Sequence, residues 1–276
     1  MSSYSAEAPR RVTPRQIIAR KGGEPIVCLT AYTAPMAAIL DEACDVLLVG
    51  DSLGMVVHGL PNTIGVTLEM MILHGQAVMR ASTRAMVVVD MPFGSYEGAP
   101  ERAYGAAVRI LKETGAQAVK VESGPEVAAT IAYLTRRGVP VMGHVGLRPQ
   151  AVLMEGGFRA RGKRPEEAAC IVAEAEAAAA AGAFCVVVEG VAGSVAARIT
   201  KAIAVPTIGI GASAGCDGQI LVTEDMLGLF EWTPKFVRRY ADLRGEIARA
   251  VRDYAADVRS GAFPGVAETY FSALKA

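Results

Sequence analysis

The sequence predicts a single (β/α)8 TIM barrel with an extra N-terminal helix. Three observations carry that expectation. Short apolar runs alternate eight times with helical stretches, the pattern of a parallel sheet wrapped by helices. The composition is 52% hydrophobic but only 6% aromatic, so small and branched aliphatics fill the core, as strands covered on both faces require. The 276 residues form one domain over 1–276 with no evident linker, close to the roughly 250 residues typical of this architecture. An open doubly wound sheet is the alternative, because one sequence does not state the order of strands in space.

Along the chain, MSSYSAEAPR is small and polar, and residues 1–11 are expected to be disordered. VTPRQIIARK (12–21) reads as a short helix with Pro14 near its start. Strands are expected at 26–31, 46–51, 85–91, 118–122, 139–144, 184–189, 206–211 and 219–222. Helices fall at 34–43, 67–82, 99–114, 125–137, 165–181 and 193–202, with a long one at 234–258. Two loops interrupt the beat: LGMVVHGLPNTIGV (53–66) and the Gly- and Arg-rich segment 148–165. Loops of that length in a compact domain are read as lids or binding loops, with a solvated excursion as the plainer reading.

Composition excludes several classes of function. Lys and Arg number 28, Asp and Glu also 28, and no basic stripe with interleaved aromatics points to nucleic acid. No apolar run reaches the ~20 residues of a membrane span, and no secretory h-region opens the chain. The five cysteines (Cys28, Cys44, Cys170, Cys185, Cys216) are odd in number and lack C-x-x-C spacing. Cys28 and Cys185 lie in strands and read as buried thiols. A reduced, cytoplasmic enzyme is the expectation.

Four apolar runs end in a carboxylate: VLLVGD at Asp51, MVVVD at Asp90, AVKVE at Glu122 and CVVVE at Glu189. An acid leaving a buried strand is costly unless paired, hydrogen-bonded or bound to a cation. One alone would read as a helix cap. In a barrel, all four converge at the C-terminal mouth, where active sites of this fold lie. Hard oxygen donors with few His or Cys nearby favour Mg²⁺ over zinc. Asp51, Asp90 and Glu122 come from consecutive strands and are assigned to the metal. Glu189 lies across the barrel and suits a separate role.

Lys120 shares the inward face with Glu122, two residues on. It reads either as a partner of these acids or as the contact for a substrate carboxylate. Ser52 reads either as a cap or as a donor to the same anion. His144, at the end of the fifth strand, is either a satisfied core imidazole or a site residue; His58 and His74 are given no role. The turn TIGIGASAGCDGQ (207–219) lies where many barrels bind phosphate, but it carries no Lys or Arg, and it reads equally as a close backbone passage.

LTAYTAPMA, LLVGDSLGMVVHG, VVVDMPFGSY, AVKVE, PVMGHVGLRPQ, VVVEGV, PTIGIGA and DGQILV, in this order, resemble the ketopantoate hydroxymethyltransferase family of the phosphoenolpyruvate mutase/isocitrate lyase superfamily. The resemblance runs from about Thr13 to Leu243. It implies a (β/α)8 barrel and a homodecamer. It also implies Mg²⁺ at Asp51, Asp90 and Glu122, a keto acid among Asp51, Ser52, Asp90 and Lys120, and Glu189 as general base. Arg148 stands where the family usually has Thr, and the residues from Ser213 depart from its GIGAG turn.

The implied reaction moves a hydroxymethyl group from 5,10-methylenetetrahydrofolate to 3-methyl-2-oxobutanoate, giving ketopantoate for pantothenate synthesis. A 2-keto acid chelates Mg²⁺, which stabilises the enolate formed when the C3 proton leaves. Glu189, preceded by CVVV, is placed to take that proton. Arg159, Arg161, Lys163 and Arg164 read as a solvated basic loop or, less readily, as the contact for a folate tail. A Mg²⁺-dependent carbon–carbon lyase or mutase acting on a 2-keto or 2-hydroxy acid is the competing enzyme, and the absence of a K-K-C-G-H-like motif counts against it. A non-catalytic keto-acid sensor is the third reading, which the acids and Lys120 together disfavour.

Overall fold

The computed structural model describes residues 11–124 and 126–270. Eight strands pair in parallel in chain order: β1 (Ile26–Thr30), β2 (Val46–Val49), β3 (Met86–Asp90), β4 (Ala118–Glu122), β5 (Val141–Gly146), β6 (Cys185–Glu189), β7 (Thr207–Ile210) and β8 (Gly218–Leu221). β8 then pairs with β1, so the sheet is a closed barrel rather than an open one. Gly218 makes that closure possible, since a Cβ there would stand 2.5 Å from the Ile26 carbonyl.

The helices are α1 (Pro14–Ile18), α2 (Ala34–Leu40), α3 (Leu53–Val56), α4 (Leu68–Ala81), α5 (Pro100–Thr114), α6 (Val127–Thr135), α7 (Val152–Glu155), α8 (Pro165–Ala180), α9 (Gly193–Ala202), α10 (Thr223–Met226) and α11 (Leu243–Ser260). The segment expected to be disordered lies outside the described residues except for Arg11, which donates to Ser82 Oγ and the Ala85 carbonyl. Residue 125, the expected start of the sixth helix, also lies outside them. α1 is shorter than the expected 12–21. A capping box starts it: Thr13 Oγ1 accepts from Gln16 N, and Gln16 Oε1 accepts from Thr13 N.

The two long loops are partly helical, with α3 in the first and a 3-10 turn (Pro149–Ala151) followed by α7 in the second. The last helix begins at Leu243, not 234. The Asp242 side chain caps it, and the Tyr240 N–H is taken by the Met226 carbonyl rather than by a helical partner.

The core has two layers. Inside the barrel, Leu48, Met86, Met142, Val187 and Ile208 pack together, with Ile17 of α1 closing the end where the strands begin. Between strands and helices lies a larger Val-, Ala- and Ile-rich layer that includes Val87, Val119, Val186, Ile110 and Ile199. Cys28 and Cys185 are buried, as their strand positions predict. The chain divides after Thr223 into two compact units, the first carrying all eight strands. In the second, α11 buries no residue, and Ile247, Val251, Tyr254 and Val258 are exposed at helical spacing.

Candidate active site

The parallel register sets the site. Asp90 stands opposite Lys120, Glu122 opposite His144 and Gly146 opposite Glu189, so neighbouring strand ends point their charges into one mouth. Lys120 Nζ donates to Asp90 Oδ1 at 2.7 Å, and Asp51 N donates to Asp90 Oδ2 at 3.0 Å. The pairing of Lys120 with an acid is therefore realised, and both oxygens of Asp90 are engaged. His144 lies between two carboxylates: its Nε2 is 3.2 Å from Glu189 Oε2 and its Nδ1 3.8 Å from Glu122 Oε1. Neither contact is aligned as a hydrogen bond. The six residues of the acid and base set, Asp51, Asp90, Lys120, Glu122, His144 and Glu189, thus form one cluster.

Ser52 precedes α3 but makes no side-chain cap bond; its Oγ is 2.8 Å from the Tyr32 hydroxyl. The cap reading of Ser52 gives way to one in which the hydroxyl is held beside Asp51.

Sequence reasoning missed the residue that ties the acids together. Gln150 Nε2 donates to Asp51 Oδ2 at 2.8 Å and to the Met91 carbonyl at 3.0 Å, while its backbone N–H donates to Glu122 Oε2 at 3.1 Å. Its Oε1 accepts from the Tyr96 hydroxyl at 2.6 Å, and that hydroxyl accepts from Glu122 N at 3.2 Å. The long loop after β5 therefore folds back over the mouth and positions carboxylates of β4 and of the β2 exit. Gln150 and Tyr96 do lie in the segments PVMGHVGLRPQ and VVVDMPFGSY, and that is the one signal that marks them.

Electrostatics follow from burial. Burial, reinforced by the charge of Asp90, pushes the Asp51 carboxyl above its ordinary range. Burial and the charge of Asp51 do the same to Glu122. Burial alone would pull Lys120 down, but Asp90, Asp51 and Glu122 together hold it above its usual value. Burial, with the charge of Lys120, lowers His144 and favours its neutral form. Glu189 is the accessible acid, with 19% of its side chain exposed against 3% for Asp90 and 5% for Glu122.

Four carboxylates thus face one lysine, and the surplus negative charge among hard oxygen donors suits a divalent cation. Among the described residues no group of three His, Cys, Asp or Glu is arranged to hold an ion directly. Mg²⁺ keeps several waters and binds through one or two carboxylates, so water-mediated contacts from the remaining acid are compatible with this donor set.

Other expected features resolve differently. Arg161 is taken up by Glu155 at 2.6 Å and Glu167 at 2.5 Å, so it braces the loop rather than reaching for a ligand. The turn after β7 closes on itself, with Cys216 N and Gln219 Nε2 both donating to the Ser213 carbonyl. His58 and His74, given no role, pair through their Nε2 atoms at 3.0 Å.

Comparison with known proteins meets this geometry. The sequence profile described as ketopantoate hydroxymethyltransferase matches residues 11–266. The 3-methyl-2-oxobutanoate hydroxymethyltransferase of Phenylobacterium zucineum (strain HLK1) is 74% identical over 272 residues, 99% of each chain. That of Caulobacter vibrioides (strain NA1000 / CB15N) is 72% identical over the same share. Among solved structures, a 2,3-dimethylmalate lyase of the PEP mutase/isocitrate lyase superfamily superposes with a TM-score of 0.59 at 18% identity, covering 92% of this chain and 87% of that one. A phosphonopyruvate hydrolase in complex with oxalate and Mg²⁺ gives 0.59 at 15% identity, covering 93% of both. At such identities the likeness is one of fold.

Proposed function

The chain belongs to the ketopantoate hydroxymethyltransferase family, and from that premise we propose that it forms ketopantoate by moving the methylene carbon of 5,10-methylenetetrahydrofolate onto C3 of 3-methyl-2-oxobutanoate. One observation carries the chemical reading: a single accessible carboxylate, Glu189, stands across from three buried ones gathered around Lys120.

Asp51, Asp90 and Glu122 would hold Mg²⁺, which when bound supplies Lewis acidity toward the keto acid's carboxylate and keto oxygens. A hydrolase of the same fold has been solved with oxalate and Mg²⁺, which is consistent with a divalent cation here. Lys120 and Ser52 would receive the substrate carboxylate. Glu189 takes the C3 proton, with the imidazole of His144 3.2 Å from its carboxylate. Across the whole reaction, the C3–H bond, an O–H bond of one water and both C–N bonds of the methylene carbon break. The new C3–C bond and the C–OH bond form. The proton from C3 and the proton from water end on the two nitrogens of tetrahydrofolate.

The family's ten-copy assembly is part of the same proposal. The exposed stripe on α11 supports association, because soluble chains seldom leave such a face uncovered. Light scattering of the purified protein tests it.

The reaction itself is tested by ketopantoate formation with methylenetetrahydrofolate supplied or omitted. The base is tested separately. Glu189→Gln should abolish exchange of the C3 proton with solvent while Mg²⁺ and keto-acid binding stay near normal. Unimpaired exchange in that variant would overturn the role of Glu189.

A further inference from the structure

Beside the acid cluster lies a cavity of about 340 Å³ to which no substrate has been assigned above. Glu122 and Gln150 line it, which makes it continuous with the site. Tyr96 and Arg148 add further polar groups, while an apolar side is built from Phe93 of the loop after β3, Ile64 of the loop after β2, and Leu153 and Met154 of α7. Phe93 is 47% exposed, Leu153 73% and Met154 80%. An apolar wall with a few placed polar groups is the usual build of a small-ligand site. Glu97 at the rim holds its carboxylate on Gly94 N and Tyr96 N, and a carboxylate so fixed still has lone pairs for further donors.

We propose that this cavity binds the bicyclic pterin head of the one-carbon donor, with Phe93 and Leu153 against its faces and Glu97 accepting from its amino and ring N–H edge. The inference rests on the reaction proposed above and deepens it by assigning the second substrate. Size agrees: the volume lies near the lower end of ligand pockets, roughly 300–1,000 Å³. It admits the head and not the whole donor, so the benzoyl-glutamate arm leaves past Met154 toward solvent. The placement also fits the chemistry, since the carbon to be transferred must arrive beside the keto acid, and Glu122 of the same acid cluster lines the cavity.

The test uses tetrahydrofolate itself, which lacks the transferable carbon and cannot turn over. Its affinity is measured by calorimetry for the full chain and for Phe93→Ala and Leu153→Asp. Both side chains are partly in solvent, so neither substitution threatens the fold. Each should weaken tetrahydrofolate about tenfold or more, the usual cost of spoiling an apolar contact. Solvent exchange at C3 of the keto acid, which needs no folate, should stay near the wild-type rate in both. Ketopantoate formation with unchanged tetrahydrofolate affinity in both variants sinks the pocket and leaves the reaction standing. Loss of exchange together with folate binding also sinks it, since the walls would then be supporting the acids. Unchanged affinity with a reduced assembly mass assigns the walls to a subunit contact and overturns the proposal. Weakened tetrahydrofolate binding in a chain that makes no ketopantoate upholds the pocket and sinks the reaction.

Discussion

At the scale of single residues, the site depends on a neutral amide. Gln150 spends both amide hydrogens and its carbonyl on Asp51, the Met91 carbonyl and Tyr96, so every polar atom of a buried group is engaged. Asp51 is already pushed above its ordinary range by burial and by Asp90. Gln150→Leu would remove a donor from its carboxylate and favour the protonated form further. Residues that orient a ligand in this way cost about 10–100-fold in metal affinity when lost. Gln150→Leu should therefore weaken Mg²⁺ binding within about that range, read by calorimetry or by Mn²⁺ paramagnetic titration. Gln150→Glu keeps the shape but adds a fifth acid, and should require lower pH for the same fold stability. A lowered melting temperature with unchanged metal affinity in Gln150→Leu would make the residue a strut and nothing more.

At the scale of elements, the β5–β6 pair decides where the base sits. Gly146 ends β5 at φ +100°, and a Cβ there would overlap the Glu189 carbonyl and stand 2.6 Å from Val191 Cγ1. That close passage lets Leu147 N donate to the Glu189 carbonyl at 2.9 Å, which fixes the backbone from which the base projects. Gly146→Ala meets backbone strain costing roughly 1–3 kcal/mol, before any overlap. It should lower the melting temperature and reduce kcat much more than it changes KM for the keto acid; an equal effect on both would place the defect in binding. The strands and their acids were legible because apolar runs ending in a carboxylate announce a buried strand and its exit. The contributions of Gln150 and Tyr96 were not. Gln150 meets Asp51 across 99 positions of chain, and only the path of the loop after β5 brings them together. The start of the last helix was misplaced for a similar reason, because the hydrogen bond from Tyr240 N to the Met226 carbonyl leaves no periodic trace in the sequence.

At the scale of the whole molecule, the surplus of acids at the mouth makes stability depend on pH and metal together. Asp51 and Glu122 have raised proton affinities in the folded chain. Their contribution to stability is complete below the ordinary carboxylate range and is lost as pH rises through the folded values. His144 works the other way: its lowered affinity contributes above the ordinary imidazole value and fails as pH falls below it. Lys120, held above its usual value, stays charged throughout the neutral range. The metal-free protein should accordingly melt higher near about pH 7 than near about pH 9, with the maximum set by these opposing groups. Mg²⁺ takes the ionised carboxylates, so its stabilisation should be larger at the higher pH. At about 100 times the dissociation constant a ligand contributes about 2.7 kcal/mol. For a chain of this size that is a rise of roughly 5 °C or more in melting temperature. Scanning calorimetry at both pH values, with and without Mg²⁺, reads the effect directly. Glu122→Gln, which removes one titrating acid, should flatten the pH dependence of the metal-free protein. A Mg²⁺ shift that is equal at both pH values, or larger at the lower one, would mean that the cation does not sit on these carboxylates.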